Sequence, residues 1–152
     1  MSETDRLAGK TVVLGVCGSI AAYKSCELVR RLMARGVDVH VVMTHSATHL
    51  VGPRTFSSLT RHHVAVDPYE DPIPEHIEHI TLADMADLIL IAPATANTTA
   101  KLAMGICDDM LTTTVCASSA PVVLAPAMNP KMWEHTPTQE NAERLAAMGY
   151  DI

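Results

Sequence analysis

Four short stretches place hydroxyl- or amide-bearing residues directly behind apolar runs. They are Gly18-Ser19-Ile20 after "TVVLGV", Thr44-His45-Ser46 after "VDVHVVM", Thr95-Ala96-Asn97-Thr98 after "ADLILIAP", and Ala127-Met128-Asn129 after "APVVLAP". A glycine turn that opens a helix offers backbone N–H groups to an anion. Hydroxyls at Ser19, Thr44 and Ser46 beside such donors suit a monophosphate, which a carboxylate in their place would repel. The same side chains also serve as helix caps and turn formers, as Ser and Thr commonly do, and taken singly each position admits both readings.

The apolar runs set where these residues lie. They are apolar nearly throughout, the mark of strands buried on both faces in a parallel sheet covered by helices. "IAAYKSCELVRRLMARG" puts Ala21, Leu28, Val29 and Leu32 on one helical face before Gly36 stops it. "ANTTAKLAMGICDDMLTTTVCA" predicts a helix broken near Gly105 and resumed at Asp108-Asp109, whose acids suit a helix N-terminus. Thr136-Pro137-Thr138-Gln139 reads as a capping box, Gly149 closes the helix that follows, and "YDI" reads as the start of another strand. Residues 51–80, broken by Pro53, Pro68, Pro72 and Pro74, read as a short helix or two and a loop. The fold class that results is three-layer α/β, a parallel sheet with helices on both faces. In such a sheet ligands bind beyond the carboxyl ends of the strands, where all four polar stretches fall. Thr95, Asn97 and Thr98 can then turn polar groups into the crevice while Ala94 and Ala96 let a flat ring approach, a spacing that fits an isoalloxazine edge.

With 152 residues the chain is most simply one domain. A net charge of -6 and no basic cluster beyond Arg30-Arg31 exclude nucleic acid and anionic membrane as main partners, leaving a small molecule. Cys17, Cys26, Cys107 and Cys116 have no CxxC spacing, lie in apolar segments and read as core residues. With no signal peptide or membrane-length apolar run, the chain reads as soluble and cytoplasmic. A dinucleotide site is disfavoured: Gly15 and Gly18 are one residue too far apart for G-x-G-x-x-G, and no acid follows the second strand to bind a ribose. No metal site is expected. His76-x-x-His79 and His45-x-x-x-His49 each lack a third ligand, and His62, His63 and His135 read as surface residues.

"GSIAAYK", "HITLADMADLILIAPATANT", "PATANTTAKLAMGICDDMLTTT" and "PAMNPKMW" together resemble, in order and over about Lys10 to Gly149, the homo-oligomeric flavin-containing cysteine decarboxylases. The resemblance implies FMN held by Gly18, Ser19, Ile20, Thr44, Ser46, Thr95, Ala96, Asn97, Thr98 and Ala127. It implies a catalytic histidine at His79 and a catalytic, substrate-binding asparagine at Asn129, with Met132 beside the substrate. It also implies that the three-layer α/β sheet is flavodoxin-like (Rossmann-like), and that such domains form trimers, or assemblies of trimers, with cofactor and active site at subunit boundaries. The activity implied is decarboxylation of 4′-phosphopantothenoylcysteine to 4′-phosphopantetheine in coenzyme A biosynthesis. There FMN oxidises the cysteine thiol to a thioaldehyde, carbon dioxide leaves, and the enethiol is reduced again.

Members that complete this reaction carry, beyond the position of Ile152, a flap with a cysteine in an Ala-Cys-Gly motif, and none of the four cysteines here has that context. The expectation is therefore one FMN-binding domain over 1–152, shortened before that flap or leading a longer, bifunctional polypeptide with the preceding ligase activity. Two other functions share the flavin motifs: a peptidyl-cysteine decarboxylase, and a flavin-binding regulatory subunit without turnover. Retention of both His79 and Asn129 speaks against the second.

Overall fold

Alternating residues of the first strand explain the architecture. In β1 (Thr11–Val16), Val12, Leu14 and Val16 are buried in one apolar cluster, while Val13 and, just beyond the strand, Cys17 are buried in another. A strand buried on both faces requires a helical layer on each. A computed structural model describes residues 6–70 and 77–152 of the chain. After β1 a 3-10 turn (Ile20–Tyr23) leads into α1 (Lys24–Met33) and β2 (Asp38–Met43). There follow α2 (His45–Thr48), α3 (Pro53–Thr60), β3 (Val64–Ala65), α4 (Glu78–Met85), β4 (Leu88–Ala94) and α5 (Ala96–Met104). The chain ends with α6 (Met110–Ala117), β5 (Val122–Pro126), α7 (Pro130–Trp133) and α8 (Thr136–Ala147).

Among the described residues the strands form one parallel sheet of order β3-β2-β1-β4-β5. From β1 the chain moves to β2 on one side and later resumes at β4 on the other, so strand order reverses between β1 and β4. Connections that leave in opposite directions open a crevice there, beyond the carboxyl ends. The doubly wound α/β fold expected from the apolar runs is the one the chain adopts. Val29 of α1 and Phe56 of α3 pack with Val39, Val41 and Met43 on one face, and Leu102, Met110, Leu111 and Leu145 pack with Ile89 and Ile91 on the other. Each such side chain, fully buried, contributes about 1.5–3 kcal/mol. Gly15 lets α6 lie close on β1, since a Cβ there would stand 2.6 Å from Leu111 Cδ1.

Several local expectations need correction. The first helix begins as a 3-10 turn and its buried face is Ala22, Ser25 and Val29, with Leu28 and Leu32 half-buried. Within residues 51–80 the chain also forms β3, pairing Val64 with Val41 and Ala65 with Val42. No capping box starts α8: His135 is the N-cap, Thr136 is already helical, and Gln139 Nε2 donates instead to the Trp133 carbonyl at 2.6 Å. Only Cys17 of the four cysteines is fully buried; Cys26 is half-buried and Cys107 and Cys116 are exposed. Partial burial of its sulfur, with the adjacent Cys116 thiol, pushes Cys107 up to about 11. Other expectations hold. Gly105 ends α5 at φ 70° and Asp109 caps α6 in a full capping box. Asp151 pairs in parallel with Val123 at the edge of β5.

Candidate active site

The strand ends are tied to one another before any side chain is considered. Thr44 N donates to the Val16 carbonyl at 3.0 Å, Cys17 N to that of Pro93 at 3.2 Å, and Ala127 N to that of Ala94 at 3.0 Å. These bonds hold the carboxyl ends of β2, β1, β4 and β5 level along one rim. Each strand then passes into a helix through a polar cap. Ser19 Oγ accepts from Ala21 N at 3.3 Å, Thr44 Oγ1 from Ala47 N at 3.3 Å, Thr95 Oγ1 from Thr98 N at 3.2 Å, and Asn129 Oδ1 from Lys131 N at 2.9 Å. The capping reading is therefore correct at all four places. It also sets four helix beginnings around one crevice, which capping alone would not require.

Two adjoining cavities open there. One, of about 590 Å³, is bounded by Gly18, Ser19, Ile20 and Ala21 on one side, Thr95 and Ala96 on the floor, and Ala127, Met128, Asn129 and Met132 opposite. The other, of about 350 Å³, shares Gly18, Thr95, Ala96 and Met132 and extends to Thr44, His45, Ser46, Asn97, Thr98, Lys101 and Asp109. Gly18 is required by close approach, because a Cβ on it would meet Ser46 Cβ at 2.6 Å. The turn therefore presents bare backbone to the cavity. Thr98 Oγ1 accepts from Thr95 Oγ1 at 3.2 Å and lies next to Cys17, whose thiol burial pushes upward and so keeps neutral.

Asp109 is the one carboxylate among the lining residues, and it is matched by a cation. Lys101 Nζ lies 3.0 Å from Asp109 Oδ2 and 2.7 Å from Asp108 Oδ1, and these carboxylates raise the lysine's pKa. The sequence reading missed Lys101, Asp109, His45 and Ala21 as lining residues. Lys101 follows Asn97 by four, the spacing of one helix face, which is the signal that pointed to it. Every residue expected at the cofactor lines one of the two cavities, as do Asn129 and Met132.

His79 does not. It is half-buried in the first turn of α4, and neither of these two cavities includes it in its wall. Within one chain His79 therefore stands apart from both cavities. Its flanks, Ile77 at 58% and Ile80 at 43% exposure, are apolar and open. His76, the other member of the His-x-x-His spacing, lies outside the described residues.

A doubly wound α/β sheet with a polar, capped crevice at its switch point defines the class of open α/β proteins whose ligands bind beyond the carboxyl ends of the strands. Comparison with known proteins narrows this class. The Flavoprotein family model matches residues 1–152, and the chain belongs to that family. It is 49% identical over 144 residues to the coenzyme A biosynthesis bifunctional protein CoaBC of Bacillus subtilis (strain 168), covering 95% of this chain and 36% of that protein. Identity to the Escherichia coli (strain K12) protein of the same name is 46% over 144 residues, 94% of this chain and 35% of the other. The chain thus spans about a third of the length of these curated relatives. Among solved structures, the FMN-dependent cysteine decarboxylase SpaF superposes with a TM-score of 0.91 at 39% identity, over 96% of this chain and 84% of its own. A PPC decarboxylase C175S mutant complexed with pantothenoylaminoethenethiol gives 0.81 at 31%, over 93% and 80%.

Proposed function

We propose that the protein binds FMN in this crevice and decarboxylates 4′-phosphopantothenoylcysteine to 4′-phosphopantetheine, a step of coenzyme A biosynthesis. The observation that carries the reading is the union of four capped strand ends around cavities of about 590 and 350 Å³ in a chain 49% identical to CoaBC. The donor set fits FMN. Gly18 backbone, Ser19, Thr44 and Ser46 suit its phosphate, the nine-residue α5 adds N-terminal N–H groups, and Ala96 and Ala127 leave flat apolar walls for the ring. The one lining carboxylate is already compensated by Lys101.

When bound, FMN supplies the reversible two-electron chemistry that turns the substrate thiol into an electron sink and later restores it. The chain's own residues bind and orient the substrate. Asn129 Oδ1 is occupied by Lys131 N–H, which fixes the amide and leaves its Nδ2 hydrogens for the substrate carboxylate. Met132, half exposed at the cavity mouth, offers an apolar wall to the group losing carbon dioxide. His79 holds or moves a proton near the thiol and Cα, a role histidine suits near neutral pH. It would do so from a neighbouring copy in a trimer, a reading supported by its place outside the chain's own cavities and by the open Ile77 and Ile80 beside it. Four free cysteines favour a reducing, cytoplasmic setting, and among the described residues no helix is long and apolar enough to cross a membrane.

The test is to load the purified protein with FMN and supply 4′-phosphopantothenoylcysteine or a cysteine-ended peptide, following released carbon dioxide and product mass. Carbon dioxide from the phosphorylated substrate well above that from the peptide is expected. Bound FMN with no carbon dioxide from either substrate would end the decarboxylase reading, and preference for the peptide would replace the substrate.

A further inference from the structure

At the far edge of the sheet from the crevice, three ligating side chains converge. Asp38 and His40 stand two apart on β2 and so project from the same face of the strand. His62 reaches them from the turn between α3 and β3. Pairing of Val64 with Val41 brings His62 level with Val39, between the other two. The turn is held in place: Arg61 takes a left-handed conformation at φ 63° to end α3, and His62 N donates to Thr60 Oγ1 at 3.2 Å. His40 Nε2 lies 3.1 Å from Asp38 Oδ2 and His62 Nε2 lies 2.7 Å from Asp38 Oδ1. Each Nε2 thus meets an oxygen of the same carboxylate, while the two rings stack at 4.0 Å between centroids with 15° between their planes, so one ring has to turn out of the stack before both in-plane lone pairs can meet on one ion.

We propose that Asp38, His40 and His62 bind a divalent transition-metal ion of the zinc type, fastening β2 to the turn that leads into β3. One ligand atom from each residue lies within 4.8 Å of the others. A tetrahedral zinc site with bonds of about 2.0–2.1 Å needs ligand atoms roughly 3.3 Å apart, so the triangle has to close by up to about 1.5 Å, a shift that rotation of the three side chains supplies. Two imidazoles and one carboxylate match zinc and neighbouring transition ions better than calcium or magnesium, which prefer all-oxygen sets. Side-chain exposures of 14% for His40, 48% for Asp38 and 36% for His62 leave one side open for a solvent ligand. The role is structural rather than catalytic. Asp38 begins β2 and the crevice lies past its end, about 17 Å away at roughly 3.3 Å per residue. The staple serves an edge strand of only two residues, Val64–Ala65, which has little ladder of its own.

Chain spacing conceals the site, since His62 lies far along the sequence and no short motif joins it to Asp-x-His. The experiment is zinc titration of the FMN-loaded protein by calorimetry, with thermal unfolding across a range of zinc concentration. One Zn²⁺ per chain and an unfolding temperature that climbs with zinc are expected. In His62→Gln and His40→Gln the affinity falls at least tenfold and the thermal response disappears, while flavin absorbance and far-ultraviolet circular dichroism stay as in the parent. Because His62 lies in a turn, His62→Gln carries the test should His40→Gln fail to fold. No zinc binding, or binding of unchanged affinity in His62→Gln, overturns the proposal; the latter would assign the ion to other thiols or histidines.

Discussion

Asn129 shows how one side chain can satisfy both readings open to it. Its carbonyl oxygen caps α7 through Lys131 N–H at 2.9 Å, and the same residue lines the 590 Å³ cavity, so the amide hydrogens remain for a ligand there. Asn129→Asp separates the two roles, for a carboxylate oxygen still accepts from Lys131 while the donor pair becomes a negative charge facing the substrate carboxylate. Fold and flavin content should be retained, and kcat/KM should fall by about 10- to 150-fold, the equivalent of one charge-assisted hydrogen bond of about 1.5–3 kcal/mol. Steady-state kinetics on the flavin-loaded variant decides this; unchanged kcat/KM would return Asn129 to a cap alone. Ser19, Thr44 and Thr95 were legible for the same reason, since a polar residue directly after an apolar strand can be placed without knowing anything distant. Cys107 and Cys116 were not. Apolar neighbours suggested burial, but Met110, Leu111, Thr114 and Val115 take the inward positions of α6 and leave Cys116 outside, while Cys107 lies in the stretch before the helix.

At the scale of elements, the crevice depends on how closely the turn after β1 approaches α2. Gly18 and Ser46 are in contact such that a Cβ on Gly18 would stand 2.6 Å from Ser46 Cβ and 3.1 Å from Ser46 carbonyl carbon, so relief requires backbone to move. Gly18→Ala should therefore cost about 1–3 kcal/mol of stability as overpacking and weaken FMN at least tenfold by parting the two walls of the phosphate end. Thermal unfolding and a fluorescence titration with FMN check both; a variant that binds FMN as tightly as the parent would show that the approach is packing without consequence for the ligand. The strands β1, β2, β4 and β5 and the break at Gly105 were readable because their signals are local: apolar runs, a glycine stop, an acid at a helix start. β3 was not, because two residues carry no periodicity and the pairing of Val64 with Val41 is decided by the neighbouring strand. The start of α8 was misread because Thr136 and Gln139 have the spacing of a capping box, but His135 occupies the cap and Gln139 finds the Trp133 carbonyl instead.

For the whole molecule the decisive residue is His79, which lies on neither cavity wall. It stands in the first turn of α4, and only two residues separate the end of that helix, Met85, from Leu88 at the start of β4. If catalysis uses His79, it must act on a cavity belonging to another copy, across a surface where Ile77, Ile80 and, on the cavity rim, Ile20 at 80% exposure stand open. Ring-closed, head-to-tail contact joins exactly such unlike surfaces, one copy's α4 meeting the next copy's crevice. Complementation tests this directly. His79→Asn should be nearly inactive alone and Asn129→Asp should keep no more than about a tenth of the parent activity, because every boundary in either assembly lacks one group. After mixing in equal amounts and allowing subunits to exchange, a boundary is whole wherever the cavity comes from a His79→Asn chain and the histidine from an Asn129→Asp chain, about a quarter of all boundaries under random exchange. Activity should therefore recover to about a quarter of the parent value, with the assembly mass unchanged. Full exchange, shown by mass spectrometry of differently labelled chains, with no recovery would mean that His79 and Asn129 do not meet across a boundary, and the shared site would have to be abandoned.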